Sequence, residues 1–192
     1  MGDAPFTGLV VADFTADPLV GCLNNLGGIP PIEAKAAPYA QTIHALLDAD
    51  MPCWREHPDF ALVWTRPEAV SVHFARALAC ERVAFEAVEE EVDVFTSRSL
   101  NLRGRTRYTF VPSWVLPSSH RGYGLLDMHP ETGLAARVMR MSLRLAARLA
   151  DAPGVFVLDT ARWTAQVGAE AFSPKLWHMA KVPFAAEVFQ QI

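Results

Sequence analysis

Short apolar runs alternate along this chain with longer segments whose apolar residues recur every three or four positions. Leu9-Val10-Val11-Ala12, Phe60-Ala61-Leu62-Val63-Trp64 and Val155-Phe156-Val157-Leu158 are continuously apolar, as strands covered on both faces are. Thr106 to Val111 predicts another strand, and Pro31 to Ala36 a poorer one. Leu19, Cys22, Leu23 and Leu26 recur at helical spacing, and Gly27-Gly28 closes that helix. Pro18 suits its first turn, and either Thr15 or Asp17 can cap it. Tyr39 to Leu47 predicts a second helix, and Pro67 to Ser97 a long helical region that can be broken. Gly133 to Asp151, capped by Thr132, is the most regular helix, with Leu134, Val138, Met141, Leu145 and Leu149 as its buried stripe. The residues after Asp159 mix helix and loop.

Strands alternating with helices imply right-handed βαβ crossovers and a parallel sheet of about five strands with helices on both faces. The expected fold is therefore a three-layer α/β/α domain. Ligands of such sheets sit beyond the carboxyl ends of the strands. That rule selects three loops: Asp13 to Asp17, Thr65 to Glu68, and Pro112 to Pro130. No repeat or linker divides the chain, so residues 1–192 are expected to form one domain.

Composition narrows the function classes. With 192 residues, 51% hydrophobic and 20% charged, the chain can build one good core and is not a disordered protein. A net charge of −4 carries no electrostatic footprint for nucleic acid. No apolar run reaches the ~18 residues that a membrane span needs, and Met1 to Pro18 lacks the basic start of a secretory signal. Cys22, Cys53 and Cys80 have no CxxC spacing, so neither a disulfide framework nor a zinc knuckle is expected, and a reducing cytoplasm is the default.

Several familiar chemistries are missing. No GxGxxG or GxxxxGK[ST] loop follows a strand, no GxSxG elbow is present, and the six histidines form neither HExxH nor HxH. No metal site is expected. Asp13-Phe14-Thr15 after the first strand has a chemical use, because a hydroxyl at a helix N-terminus sits among free N–H groups that stabilise an oxyanion. Thr15 can equally serve as a plain cap. Arg66 and Glu68 after the second strong strand can hold a polar substrate or each other, and the planar Arg fork suits carboxylate or phosphate.

In order, these features resemble the SGNH (GDSL-type) hydrolases and, more closely, the N-terminal domain of FkbH-like proteins of polyketide and nonribosomal peptide assembly. The carrying stretches are Val10 to Leu19, Ala37-Pro38-Tyr39-Ala40-Gln41, Leu62 to Glu68, and Ser173 to Pro183. The resemblance implies a flavodoxin-like fold. It also implies handling of a three-carbon, glyceryl-like acyl unit from a small acyl phosphate, loaded onto the phosphopantetheine arm of an acyl or peptidyl carrier protein. It places Asp13 and Thr15 at the oxyanion or nucleophile position, His178 as base, and Arg66, Glu68, Tyr39 and Gln41 around the substrate. The haloacid-dehalogenase-type phosphatase domain of such proteins, with DxDxT and magnesium, has no counterpart in these residues, so no cofactor is expected in this domain and a separate phosphatase-type partner is an option. Phe14 stands where an SGNH enzyme has its serine, Thr65-Arg66-Pro67-Glu68 replaces the third-motif Asn, and Lys175 replaces the acid before the His. A catalytically degenerate docking or scaffold domain and a small esterase are the alternatives.

Three further expectations concern single elements. Cys22 shares the apolar stripe of Leu19 and Leu26 and is expected to be structural. Arg137, Arg140, Arg144 and Arg148 line one face of the regular helix, either as a solvated face or as a docking row for an acidic carrier protein. Trp177 and Phe184 are expected to pack the C-terminal segment.

Overall fold

The computed structural model describes residues 4–117 and 120–192. Their strands are β1 (Phe6–Ala12), β2 (Ile32–Ala36), β3 (Phe60–Trp64), β4 (Tyr108–Pro112) and β5 (Val155–Leu158). The helices are α1 (Asp17–Asn24), α2 (Thr42–Leu47), α3 (Pro67–Val70), α4 (Val72–Leu78), α5 (Phe85–Leu100), α6 (Leu134–Leu149), α7 (Thr160–Val167), α8 (Pro174–Ala180) and α9 (Ala186–Phe189). All strand pairs are parallel and the order is β2-β1-β3-β4-β5. This is the doubly wound order whose direction reverses between β1 and β3, leaving a crevice at their carboxyl ends.

Burial on two faces explains the apolar runs of β1 and β3, whereas β5 is an edge strand whose Phe156 is exposed, so the expectation that it is covered on both faces is corrected. Leu9, Val11, Ala61 and Val63 point to one core, with α4, α5 and α6 over them. Their alternates Val10, Ala12, Phe60, Leu62 and Trp64 point to the other, beneath α1 and α9. Trp64 is the centre of the second core: Phe184 stacks on it at 4.9 Å, and Phe14 and Phe189 meet it edge-on. Gly8 pairs with Phe60, whose ring occupies the space where a Cβ at residue 8 would lie, 2.1 Å away.

Local departures from the sequence reading have physical causes. Neither Thr15 nor Asp17 caps α1; its N-cap is Ala16, with no side-chain bond, and the Thr15 N–H donates to the Lys181 carbonyl at 3.0 Å. The helix expected from Tyr39 starts only at Thr42, because Ala40 adopts a left-handed conformation (φ 59°). The region from Pro67 breaks at extended Ser71, whose Oγ caps α4 by accepting from the Phe74 N–H, and again around left-handed Cys80. Gly133 rather than Thr132 is the N-cap of α6, since a Cβ at residue 133 would come within 2.1 Å of the Asp127 carbonyl. The expected stripe of α6 is buried as drawn. Among the described residues no helix is long and apolar enough to cross a membrane.

Candidate functional site

The β1/β3 crevice is built around one arginine. Asp13, the first residue after β1, accepts from the Arg66 backbone N–H at 2.9 Å and from its Nε at 2.8 Å. Arg66 Nη1 donates to Glu68 at 2.9 Å, and the guanidinium lies 3.9 Å from the centre of the Trp177 ring. Pro67 dictates part of this arrangement. It holds Arg66 extended (φ −83°, ψ 151°) as the cap of α3, and the next turn returns Glu68 to the guanidinium. Burial pushes the Asp13 carboxyl above its ordinary value, and the Arg66 charge and hydrogen bonds draw it back only in part. Arg66 thus directs its fork to the chain's own carboxylates, which is the loop ion pair that the sequence offered beside a substrate-holding role.

The other expected site residues fall in three places. Phe14, at the serine position, is 1% exposed inside the second core and faces away from any substrate. Thr15 is half-buried beside α8, and its N–H is already bonded to Lys181, so that group is not a free oxyanion donor. His178 is exposed near the end of α8, and among the described residues no hydrogen bond joins it to Asp13, Thr15, Arg66 or Glu68. Tyr39 and Gln41 are exposed in the turn before α2. Trp177 is only half-buried and serves as the platform under Arg66, whereas Phe184 is core, as expected. Cys22 is half-buried against the second core, and burial raises its thiol above the ordinary value.

Residues not singled out from the sequence complete the crevice. Thr42 donates to the Ala12 carbonyl at 2.8 Å, and Thr65 accepts from the Trp114 indole at 3.2 Å. Glu91 and Arg98 of α5 line a small space with Asp13, Thr42 and Thr65. They sit among the acids of α5, where a charge run reads as a solvated face. This space is about 40 Å³, and its neighbour against Arg66 and Glu68 about 30 Å³. Each has room for about one water. Among the described residues no group of three or more His, Cys, Asp or Glu is placed to hold a metal ion.

The arginine row of α6 is not a free basic surface. Arg137 is 3% exposed and donates to the Val83 and Glu131 carbonyls. Arg140 lies 3.7 Å over Phe85 and reaches Glu89. Arg144 grips Asp93 through two bonds of 2.7 Å, and Arg148 binds the same carboxylate. The acids of α5 complement the row, which is why like charges are tolerated four apart.

The sheet order and its two helical layers define a three-layer α/β/α domain around a parallel five-stranded sheet, and similar solved structures share this fold. No protein-family model matches the sequence, and no curated protein matches it. The N-terminal part of the protein BF1531 from Bacteroides fragilis, containing a phosphatase domain and complexed with Mg, superposes with a TM-score of 0.76 at 11% identity. The match covers 97% of this chain and 49% of that one, so this chain spans about half of that structure's length. A catalytic mutant of Axe2, an acetylxylan esterase from Geobacillus stearothermophilus, superposes with a TM-score of 0.57 at 12% identity, covering 98% of this chain and 91% of that one.

Proposed function

We propose that this chain is a non-hydrolytic SGNH-like domain of FkbH type. It holds a small, glyceryl-like acyl unit for loading onto a carrier protein, with the carrier's phosphopantetheine thiol as the nucleophile. The observation that carries the reading is Phe14: a buried phenyl ring stands where an SGNH esterase has its serine. The pairing of this fold with a phosphatase domain in the BF1531 structure supports the FkbH type, since the same pairing characterises the proteins this sequence resembles. In the loading step the thiolate attacks the carbonyl of an acyl phosphate. The C–S bond forms, the C–O bond to phosphate breaks, and the phosphate leaves with the electron pair; the thiol proton has gone to the His178 imidazole, which passes it on to solvent. Asp13, Arg66 and Glu68 form the polar floor at the strand ends, and the Thr15 hydroxyl lies beside it. His178 is the base this reading assigns, brought in when the partner covers α8.

The test mixes chain, glyceryl-type acyl phosphate and carrier protein, and follows the carrier by intact mass. Thioester formation that needs the chain, weakens with Asp13→Asn and leaves no adduct on Thr15 or Cys22 is the expected result. Hydrolysis of the acyl phosphate without loading would overturn it. A second reading, a degenerate docking module, is favoured by the occupied Thr15 N–H and by crevices that hold about one water each. It is recognised by carrier binding with no effect on the loading rate.

A further inference from the structure

A large open space lies away from the crevice, on the other side of the segment that follows β4. It is a groove of about 550 Å³ between α6 and β5. This is within the ~300–1,000 Å³ usual for small-molecule sites. Its walls are Ala135, Met139, Leu143 and Ala146 of α6, Leu116 of the loop and Val157 of β5. Alanines at 135 and 146 make the space, because larger side chains there would close helix on strand. Met139 and Leu143 are 56% and 70% exposed at its rim, a solvent face that a helix with no ligand would fill with polar residues. α6 therefore carries two apolar faces, one in the core and one on the groove.

Each polar side chain lining the groove already takes part in a hydrogen bond within the chain. Ser142 Oγ accepts from the Trp114 N–H and donates to the Trp114 carbonyl, both at 3.2 Å. Ser113 Oγ accepts from the Thr160 N–H at 3.2 Å, and Asp159 accepts from the Arg162 N–H at 3.1 Å. The walls thus leave little for a polar ligand to bond, and they favour hydrocarbon. Among the described residues, the one charge lining the groove is the Asp159 carboxylate, and no basic residue lines it. An anionic head group is therefore disfavoured at the mouth. We propose that this groove binds a linear alkyl or acyl chain of roughly ten carbons with an uncharged head, such as an alcohol, ester or thioester. The site is distinct from the Arg66 crevice, although Ser113, Trp114 and Val115 border both.

Titration calorimetry with 1-decanol and with decanoate at pH 7 tests this without any acyl-transfer assay. Its outcome is therefore independent of the function proposed above. The expected result is saturable one-to-one binding of decanol, with decanoate weaker by about tenfold. Ala146→Phe, or Ala135→Phe if the first variant misfolds, should abolish binding of both while circular dichroism stays native. Asp159→Asn keeps the helix cap and should bring decanoate close to decanol. Absence of saturable decanol binding to the wild-type chain overturns the proposal. So does unchanged binding in both groove-filling variants. Sedimentation showing a dimer that Leu143→Glu dissociates, with no decanol binding, would assign the groove to a second copy instead.

Discussion

Single side chains set the limits on chemistry at the strand ends. Phe14 lies among Trp64, Phe184 and other apolar groups, so restoring a serine there cannot restore an esterase. Phe14→Ser should cost about 3–5 kcal/mol of stability by urea denaturation, with no gain in p-nitrophenyl acetate hydrolysis. Enzymatic turnover by that variant would show that the position can reach substrate after all. Trp177 is a different case, since it is half-buried and faces a cation. Trp177→Ala should cost only about 1–3 kcal/mol, the sum of partial area loss and one cation–π contact. The same variant should lower carrier loading more than it lowers the melting temperature, because Arg66 loses its platform.

At the scale of elements, the α5–α6 seam is electrostatic on its outer side and apolar within. Asp93 binds both Arg144 and Arg148, and these hydrogen bonds hold its carboxyl far below the ordinary 3.8. A carboxyl depressed in the folded state stabilises the fold above its unfolded-state value, and the contribution drains away as the pH falls below about 3.9. Asp93→Asn should therefore cost about 1 kcal/mol at pH 7, a modest figure because the pair is partly solvated. The deficit should be smaller at pH 2.5 than at pH 7 but not gone, because the folded carboxyl takes up its proton only at still lower pH, as read from denaturant midpoints at the two pH values. A deficit that stays constant with pH would mean that packing, and not charge, holds the seam. In the sheet, Gly8 is fixed by its partner strand. Gly8→Ala should destabilise by about 1–3 kcal/mol, since the new Cβ meets the Phe60 ring within a closed β1–β3 pair.

For the molecule as a whole, the two cores share one sheet, and the C-terminal segment completes the second of them. Val182, Phe184, Val188 and Phe189 are buried against Trp64 and its neighbours, more than a hundred positions along the chain. Unfolding should therefore be one cooperative transition, with near- and far-ultraviolet circular dichroism superimposing. Phe189→Ala should lower the midpoint of both signals together by an amount equal to about 3–5 kcal/mol. Separate transitions would show that the terminal helices are a detachable layer.

Much of the architecture was legible in the chain. Phe60 to Trp64 and Val155 to Leu158 are strands at the bounds read from their apolar runs, and the α6 stripe is buried residue for residue. These follow from periodicity, which acts over a few residues and is printed in the sequence. Asp13, Arg66 and Glu68 were also legible as a group, because the carboxyl ends of parallel strands are where such folds gather polar loops. What only the tertiary structure decided is which groups face one another. The Thr15 N–H meets Lys181, the α6 arginines meet Glu89 and Asp93, and Glu91 and Arg98 come under Asp13. Each of these pairings joins positions well separated along the chain, so local patterning carries no trace of it. The apolar groove escaped the sequence for a related reason. Ala135 and Ala146 look like ordinary helix residues until they are seen to line one groove with Leu116 and Val157.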